Sequence, residues 1–220
     1  MTKIEYQPLN DRAYQEILTG LTNGIFAPMQ PLVIRTLAES YGISATPIRE
    51  ALQRLVAERL LVVLPNRSIV VPQMTREKFA QLLPVRVALE GMATELAVPR
   101  LIPEDIARLR GILDRIAGTA KTFDARAYLQ LNREFHFRIY EKSGNEELLH
   151  VIQGLWLKVG PVFTGLFDSD HFRRHANDEH VHIVDALERR DAAAARACME
   201  RDLTLAAEAL MPRLQARAAP

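Results

Sequence analysis

Residues 34–71 constrain this chain more than any other stretch. IRTLAESY and TPIREALQRLVAE each carry apolar residues at helical spacing, and only Gly42-Ile43-Ser44-Ala45 separates them. Behind them, Leu60–Leu64 and Ile69–Val71 are β-branched and leucine-rich runs flanking Pro65-Asn66-Arg67-Ser68, which reads as a hairpin with a four-residue turn. Residues 9–22 (LNDRAYQEILTGLT) supply an earlier helix stopped by Asn23-Gly24, followed by a turn, FAPMQP. Three helices and a hairpin within about 70 residues make a winged helix-turn-helix. Thr46 is expected to cap the third helix, with Pro47 at its first position, where a missing N–H is harmless.

Pro72 and the polar Gln73-Met74-Thr75 mark a boundary, giving expected domains of 1–73 and 74–220. The second half is helical throughout, with helices expected near 75–97, 104–118, 124–142, 146–166, 171–189 and 192–215. Six helices with short links form an antiparallel bundle. The fold class is therefore mainly α: a winged helix-turn-helix followed by an all-α bundle of about six helices. Gly160-Pro161 should kink the fourth helix of the bundle, and Asp191 should cap the last. Trp156 reads as core.

In a helix-turn-helix the second helix enters the major groove and residues near its N-terminus reach base edges. Those positions hold Ser44, Ala45, Thr46, Pro47 and Arg49. Arg49 can make a bidentate contact to guanine, Thr46 can meet a phosphate or a base, and Arg35 can reach the DNA backbone. Asn66 and Arg67 sit at the tip of the wing. Charge alone would not have made this case: 28 basic residues face 27 acidic ones over the chain, so any nucleic-acid contact has to come from a local patch.

In the bundle, Asn132 and His136 lie four apart on one helix and project from the same face. His180 and Asp202 fall on two later helices. Three helices of a bundle can turn these groups into one pocket whose oxygen and nitrogen donors suit a divalent metal such as zinc, nickel or manganese. Hydrogen-bonded core histidines without a metal are the alternative. His171 and His175 form a rival i,i+4 pair with no third ligand nearby in the pattern. Arg86 and Glu90 can pair at i,i+4 on a helix surface.

The stretch LAESYGISATPIREALQRLVAERLL followed by PNRSIVV resembles the winged-helix motif of the GntR family of bacterial transcription regulators. VRVALEGMATELA from Val85 resembles the opening of the effector domain in its FadR-type, or FCD, subfamily. The resemblance implies a homodimer that presents two winged helices to a palindromic operator in double-stranded DNA. It also implies a small organic-acid effector that shifts the dimer between geometries, with repression the commoner outcome, and a divalent metal held by an Asp and a His four apart, a later His and a final-helix His. This chain matches at His136 in REFH and His180 in EHVHIVDAL, and has Asn132 and Asp202 in place of the other two. In the family an arginine at Arg86 can face the cavity and meet the effector's carboxylate. Two departures touch DNA: Ala45 where an arginine is usual, and Ser68 where a glycine is usual.

Two other readings stand beside the regulator. Two histidines and a carboxylate also describe a facial triad for non-haem iron, which would make an enzyme and leave the winged helix unexplained. A regulator that has lost its metal is the third. The single Cys198 permits no internal disulfide, and the longest aliphatic run, Leu60–Leu64, is far too short to span a membrane. The charged N-terminus does not read as a signal peptide, so the cytoplasm is the expected location.

Overall fold

The computed structural model describes residues 8–122, 124–168 and 177–215. The first domain opens with α1 (Leu9–Thr22), α2 (Ile34–Tyr41) and α3 (Ala45–Ala57). Helical spacing sets which side chains turn inward: Ala13, Tyr14, Ile17 and Leu21 from α1 meet Ile48, Ala51, Leu52 and Leu55 from α3. Gly42 ends α2 at φ 65°, a left-handed conformation that glycine adopts without a Cβ penalty. The link between the two helices is therefore short and fixed.

Helix α3 begins two residues earlier than a Thr46 cap and a Pro47 start imply. Ser44 takes the N-cap position in extended backbone, without a side-chain cap bond, and Thr46 and Pro47 fall second and third in the helix. Thr46 is thus not the cap. Pro47 is still tolerated, because the first turn's N–H groups have no intrahelical partner.

The wing is smaller at its tip and wider at its base than a simple hairpin. β1 (Val62–Val63) pairs antiparallel with β2 (Ile69–Val70), with Val62 opposite Val70 and Val63 opposite Ile69. The Leu64 N–H donates to the Ser68 carbonyl at 2.9 Å, so the loop is the three residues Pro65, Asn66 and Arg67 rather than four. Arg67 takes its left-handed position at φ 66°. On the other side of β2, Leu32 N–H donates to Ile69 O at 2.8 Å and Met29 N–H to Val71 O at 2.9 Å. The segment expected to be a plain turn thus supplies a third rung.

The second domain contains α4 (Arg76–Ala97), α5 (Pro103–Thr122), α6 (Ala125–Glu141), α7 (Glu146–Val159), α8 (Asp178–Glu188) and α9 (Ala192–Leu210). These are the six bundle helices among the described residues. Thr75, Asp124, Asn145 and Asp191 cap α4, α6, α7 and α9 through their side chains. Helix α9 packs along α4 and α8, and α5 packs against α6 and α8. Two helices stop short of expectation: α7 passes into a 3-10 segment at Gly160–Asp168, and α9 into another at Met211–Arg213. His171 and His175 lie outside the described residues.

Each domain has its own hydrophobic cluster, one running from Ala13 to Val71 and the other from Phe79 to Leu214. They meet where α1 packs on α7 and the 3-10 segment behind it. A Cβ on Gly160 would lie 2.6 Å from the Thr22 carbonyl oxygen, so only glycine permits this approach of the two backbones. Among the described residues no helix is long and apolar enough to cross a membrane.

Candidate metal centre and DNA-reading surface

Ser44, Ala45, Thr46 and Arg49 are exposed at the N-terminal end of α3, as is Arg35 on α2. Pro47 is buried among the apolar residues of α3 and is withdrawn from the set that could touch DNA. Arg35 forms an exposed ion pair with Glu39 at 3.0 Å, whereas Arg49 has no ion-pair partner among the described residues. Arg49 is therefore free to engage a base without breaking a contact. At the wing tip Asn66 and Arg67 are exposed, and Asn66 Oδ1 accepts a bond from Ser68 N–H at 3.0 Å, folding the turn on itself. The left-handed residue is Arg67, so Ser68 needs no glycine-like backbone.

The bundle brings His136 of α6, His180 of α8 and Asp202 of α9 together, with one ligand atom of each within 4.8 Å of the others. His136 Nε2 lies 3.4 Å from Asp202 Oδ2 and His180 Nε2 lies 3.4 Å from Asp202 Oδ1. Both histidines are buried, at 2% and 1% exposure. Desolvation holds both imidazoles neutral: His136 falls well below the usual histidine range and His180 drops to about 3. Burial, with the Glu90 carboxylate adding to it, pushes Asp202 up to about 7.

The partners of the opposite ring nitrogens decide what faces the carboxylate. His180 Nδ1 lies 3.3 Å from Asn177 Oδ1, and that amide's own N–H group donates to the Leu113 carbonyl. Hence Nδ1 of His180 carries the proton and Nε2 is a bare lone pair. His136 Nδ1 lies 3.0 Å from the Tyr140 hydroxyl, whose proton goes to Glu90 Oε2 at 2.6 Å. Nε2 of His136 is bare by the same reasoning. Two bare nitrogens thus point at one carboxylate, an arrangement that needs either a proton on Asp202 or a cation among the three.

A divalent ion fits this donor set. Bonds of about 2.1 Å at tetrahedral or octahedral angles separate neighbouring ligand atoms by about 3.0–3.5 Å. The two 3.4 Å separations fall in that range, each to its own oxygen of Asp202, while one ligand atom from each of the three residues lies within 4.8 Å of the others, so seating an ion draws the three side chains slightly together. Tyr140 and Asn177 hold the imidazoles by their far nitrogens, the outer-shell support that metal-ligating histidines require. Asn132, partly buried one turn before His136, lines a small cavity with His136 and Asp202, beside which His180 is packed without lining it.

Arg86 belongs to this region, but as a member of a buried network. Its Nε donates to Glu90 Oε1 at 2.8 Å, with the two side chains 3% and 0% exposed. The i,i+4 pair expected on a helix surface is therefore buried. Arg86 also lies 5.3 Å from the Trp156 ring centre and lines the cavity with Asn132, His136 and Asp202. Trp156 is core, as its sequence suggests, yet its indole N–H donates to Glu90 Oε2 at 2.8 Å. The cavity measures about 30 Å³, room for an ion or one water and not for an organic acid.

Glu90, Tyr140 and Asn177 were not singled out as site residues from sequence. Tyr140 follows His136 by four, so extending the Asn132–His136 spacing by one turn would have reached it. Glu90 shows in the sequence only as an i,i+4 partner of Arg86, because its bonds to Tyr140 and Trp156 depend on α6 and α7 packing against α4.

Comparisons with known proteins match the two parts of the chain to two family models. Residues 9–71 match the model described as "Bacterial regulatory proteins, gntR family", and residues 81–205 match that of the FCD domain. The chain is 30% identical over 200 residues to the HTH-type transcriptional regulator McbR of Escherichia coli K12, covering 90% of each chain. It is 32% identical over 162 residues to the Nta operon transcriptional regulator of Aminobacter aminovorans, covering 74% of this chain and 75% of that one. A probable D-xylose utilization operon transcriptional repressor of Paenarthrobacter nicotinovorans is 30% identical over 165 residues, covering 75% and 71%. The solved structure of E. coli McbR/YncC superposes with a TM-score of 0.88 at 28% identity, over 94% of this chain and 99% of that one.

Proposed function

Because this chain belongs to the GntR family of bacterial transcription regulators and carries their FCD domain, we propose that it is a metal-dependent, ligand-responsive repressor. The observation that carries this reading is the pair of bare imidazole nitrogens facing Asp202. His136, His180 and Asp202 would hold zinc, nickel or manganese, with Asn132 adding a neutral amide oxygen. The ion would supply positive charge suited to a small carboxylate. Arg86 would meet the remaining oxygens of that carboxylate.

The buried space is too small for such an acid, so entry has to be coupled to movement of the helices that line it. An effector that binds only the enlarged state shifts the population toward it. Arg35, Ser44, Ala45, Thr46 and Arg49 of the helix-turn-helix, with Asn66 and Arg67 of the wing, would contact the operator. A homodimer gives two such surfaces; the exposed Val85 and Met92 on α4 offer apolar area for pairing.

DNA fragments selected from a random pool by the purified protein should share a palindrome. Binding to it should depend on metal in the wild type and become metal-independent in His136→Ala. Failure to enrich any sequence, or identical metal response in the two proteins, would overturn the reading.

A further inference from the structure

The junction between the domains encloses a second cavity, of about 260 Å³. It is lined by the connecting residues 71–74, by Arg59 and Leu60 behind α3, by Lys78 and Leu82 on α4, and by Leu157 and Lys158 on α7. No acidic side chain lines it. Arg59, Lys78 and Lys158 have no ion-pair partner among the described residues. Three like charges around one opening repel each other and are relieved when an anion enters. The leucines offer that anion an apolar body to bury.

From this pairing of three cations with an apolar wall we infer a second ligand site, for an amphipathic monoanion such as a medium-chain carboxylate. Size sets the chain length. At about 30 Å³ per water-sized unit the cavity holds roughly nine such units, which suits a carboxylate of about eight carbons and roughly ten non-hydrogen atoms. The site is distinct from the metal centre, whose cavity of about 30 Å³ could not hold such a chain.

Its position gives it a consequence for DNA binding. Pro161 lines the cavity, and Gly160 before it packs so tightly on the end of α1 in the DNA-binding domain that a Cβ there would lie 2.6 Å from the Thr22 carbonyl oxygen. An occupant touching both domains acts on their relative position.

The test is isothermal titration of the full chain with sodium octanoate, and with octylamine hydrochloride as the cation of equal chain length. Octanoate should bind one per chain, and octylammonium should not. Lys78→Glu/Lys158→Glu changes two exposed residues, so it should melt like the wild type while weakening octanoate by about tenfold or more. Chelator-stripped protein should bind octanoate as the untreated protein does, which separates this site from the metal centre. The inference is overturned if octanoate gives no binding at millimolar concentration, if octylammonium binds equally well, if the charge reversal leaves affinity unchanged, or if stripping with chelator abolishes binding.

Discussion

Replacing Glu90 with alanine removes the carboxylate on which three buried donors converge: Arg86 Nε at 2.8 Å, Tyr140 Oη at 2.6 Å and Trp156 Nε1 at 2.8 Å. Arg86 is 3% exposed and would be left as a buried cation without a counter-charge. Breaking such a pair costs about 3–5 kcal/mol. The orphaned phenol and indole each add about 1 kcal/mol or more, but losses inside one network do not sum in full, so about 4–6 kcal/mol is expected. At about 2–4 °C per kcal/mol for a chain of this size, the melting temperature should fall by about 10–20 °C. Urea unfolding followed by circular dichroism measures the loss directly. The double variant Arg86→Met/Glu90→Leu removes both charges and should recover most of it, because apolar groups of similar volume replace a buried ion pair at little net cost. A loss below about 1 kcal/mol for Glu90→Ala, or a double variant no better than the single one, would refute the claim that this network is a paired, buried charge.

Arg49→Ala should weaken operator binding by about 1–3 kcal/mol and relax preference at one position per half-site, while Arg35→Ala should weaken operator and random DNA together. Fluorescence anisotropy on matched and mutated sites separates the two. Metal affinity should rise with pH by about tenfold per unit up to about pH 7 and level off above, since the metal displaces the Asp202 proton while both histidines are already neutral. Competition with a chromophoric chelator between pH 5.5 and 8 reads the slope; a pH-independent affinity would exclude Asp202 as a ligand. Asn132→Asp adds a charged oxygen to the set and should tighten metal binding in the same assay.

The winged helix was legible because its elements are local. Residues 34–41 and 45–57 carry their periodicity openly, and a glycine marks the turn between them. What the sequence hid there was pairing between distant segments: Met29 and Leu32 join β2 through backbone groups, which leave no side-chain pattern. In the bundle, Asn132, His136, His180 and Asp202 could be gathered by helix spacing and family resemblance. The protonation logic could not, since it depends on Asn177 and Tyr140 reaching the far side of each ring. Arg86 was split between a surface pair and a cavity residue, and the structure makes it a buried pair that lines the cavity. Its burial follows from Trp156 and Phe163 packing over it, a contact between α4 and the α7 region that sequence spacing does not encode.

Elemental analysis of protein purified without chelator, alongside His136→Ala and His180→Ala prepared in parallel, tests the metal centre most directly. The wild type should carry close to one zinc, nickel or manganese per chain, and each histidine variant should carry almost none. A wild-type protein free of divalent metal, which also fails to take up any of the three ions after dialysis against them, would contradict a metal centre at His136, His180 and Asp202.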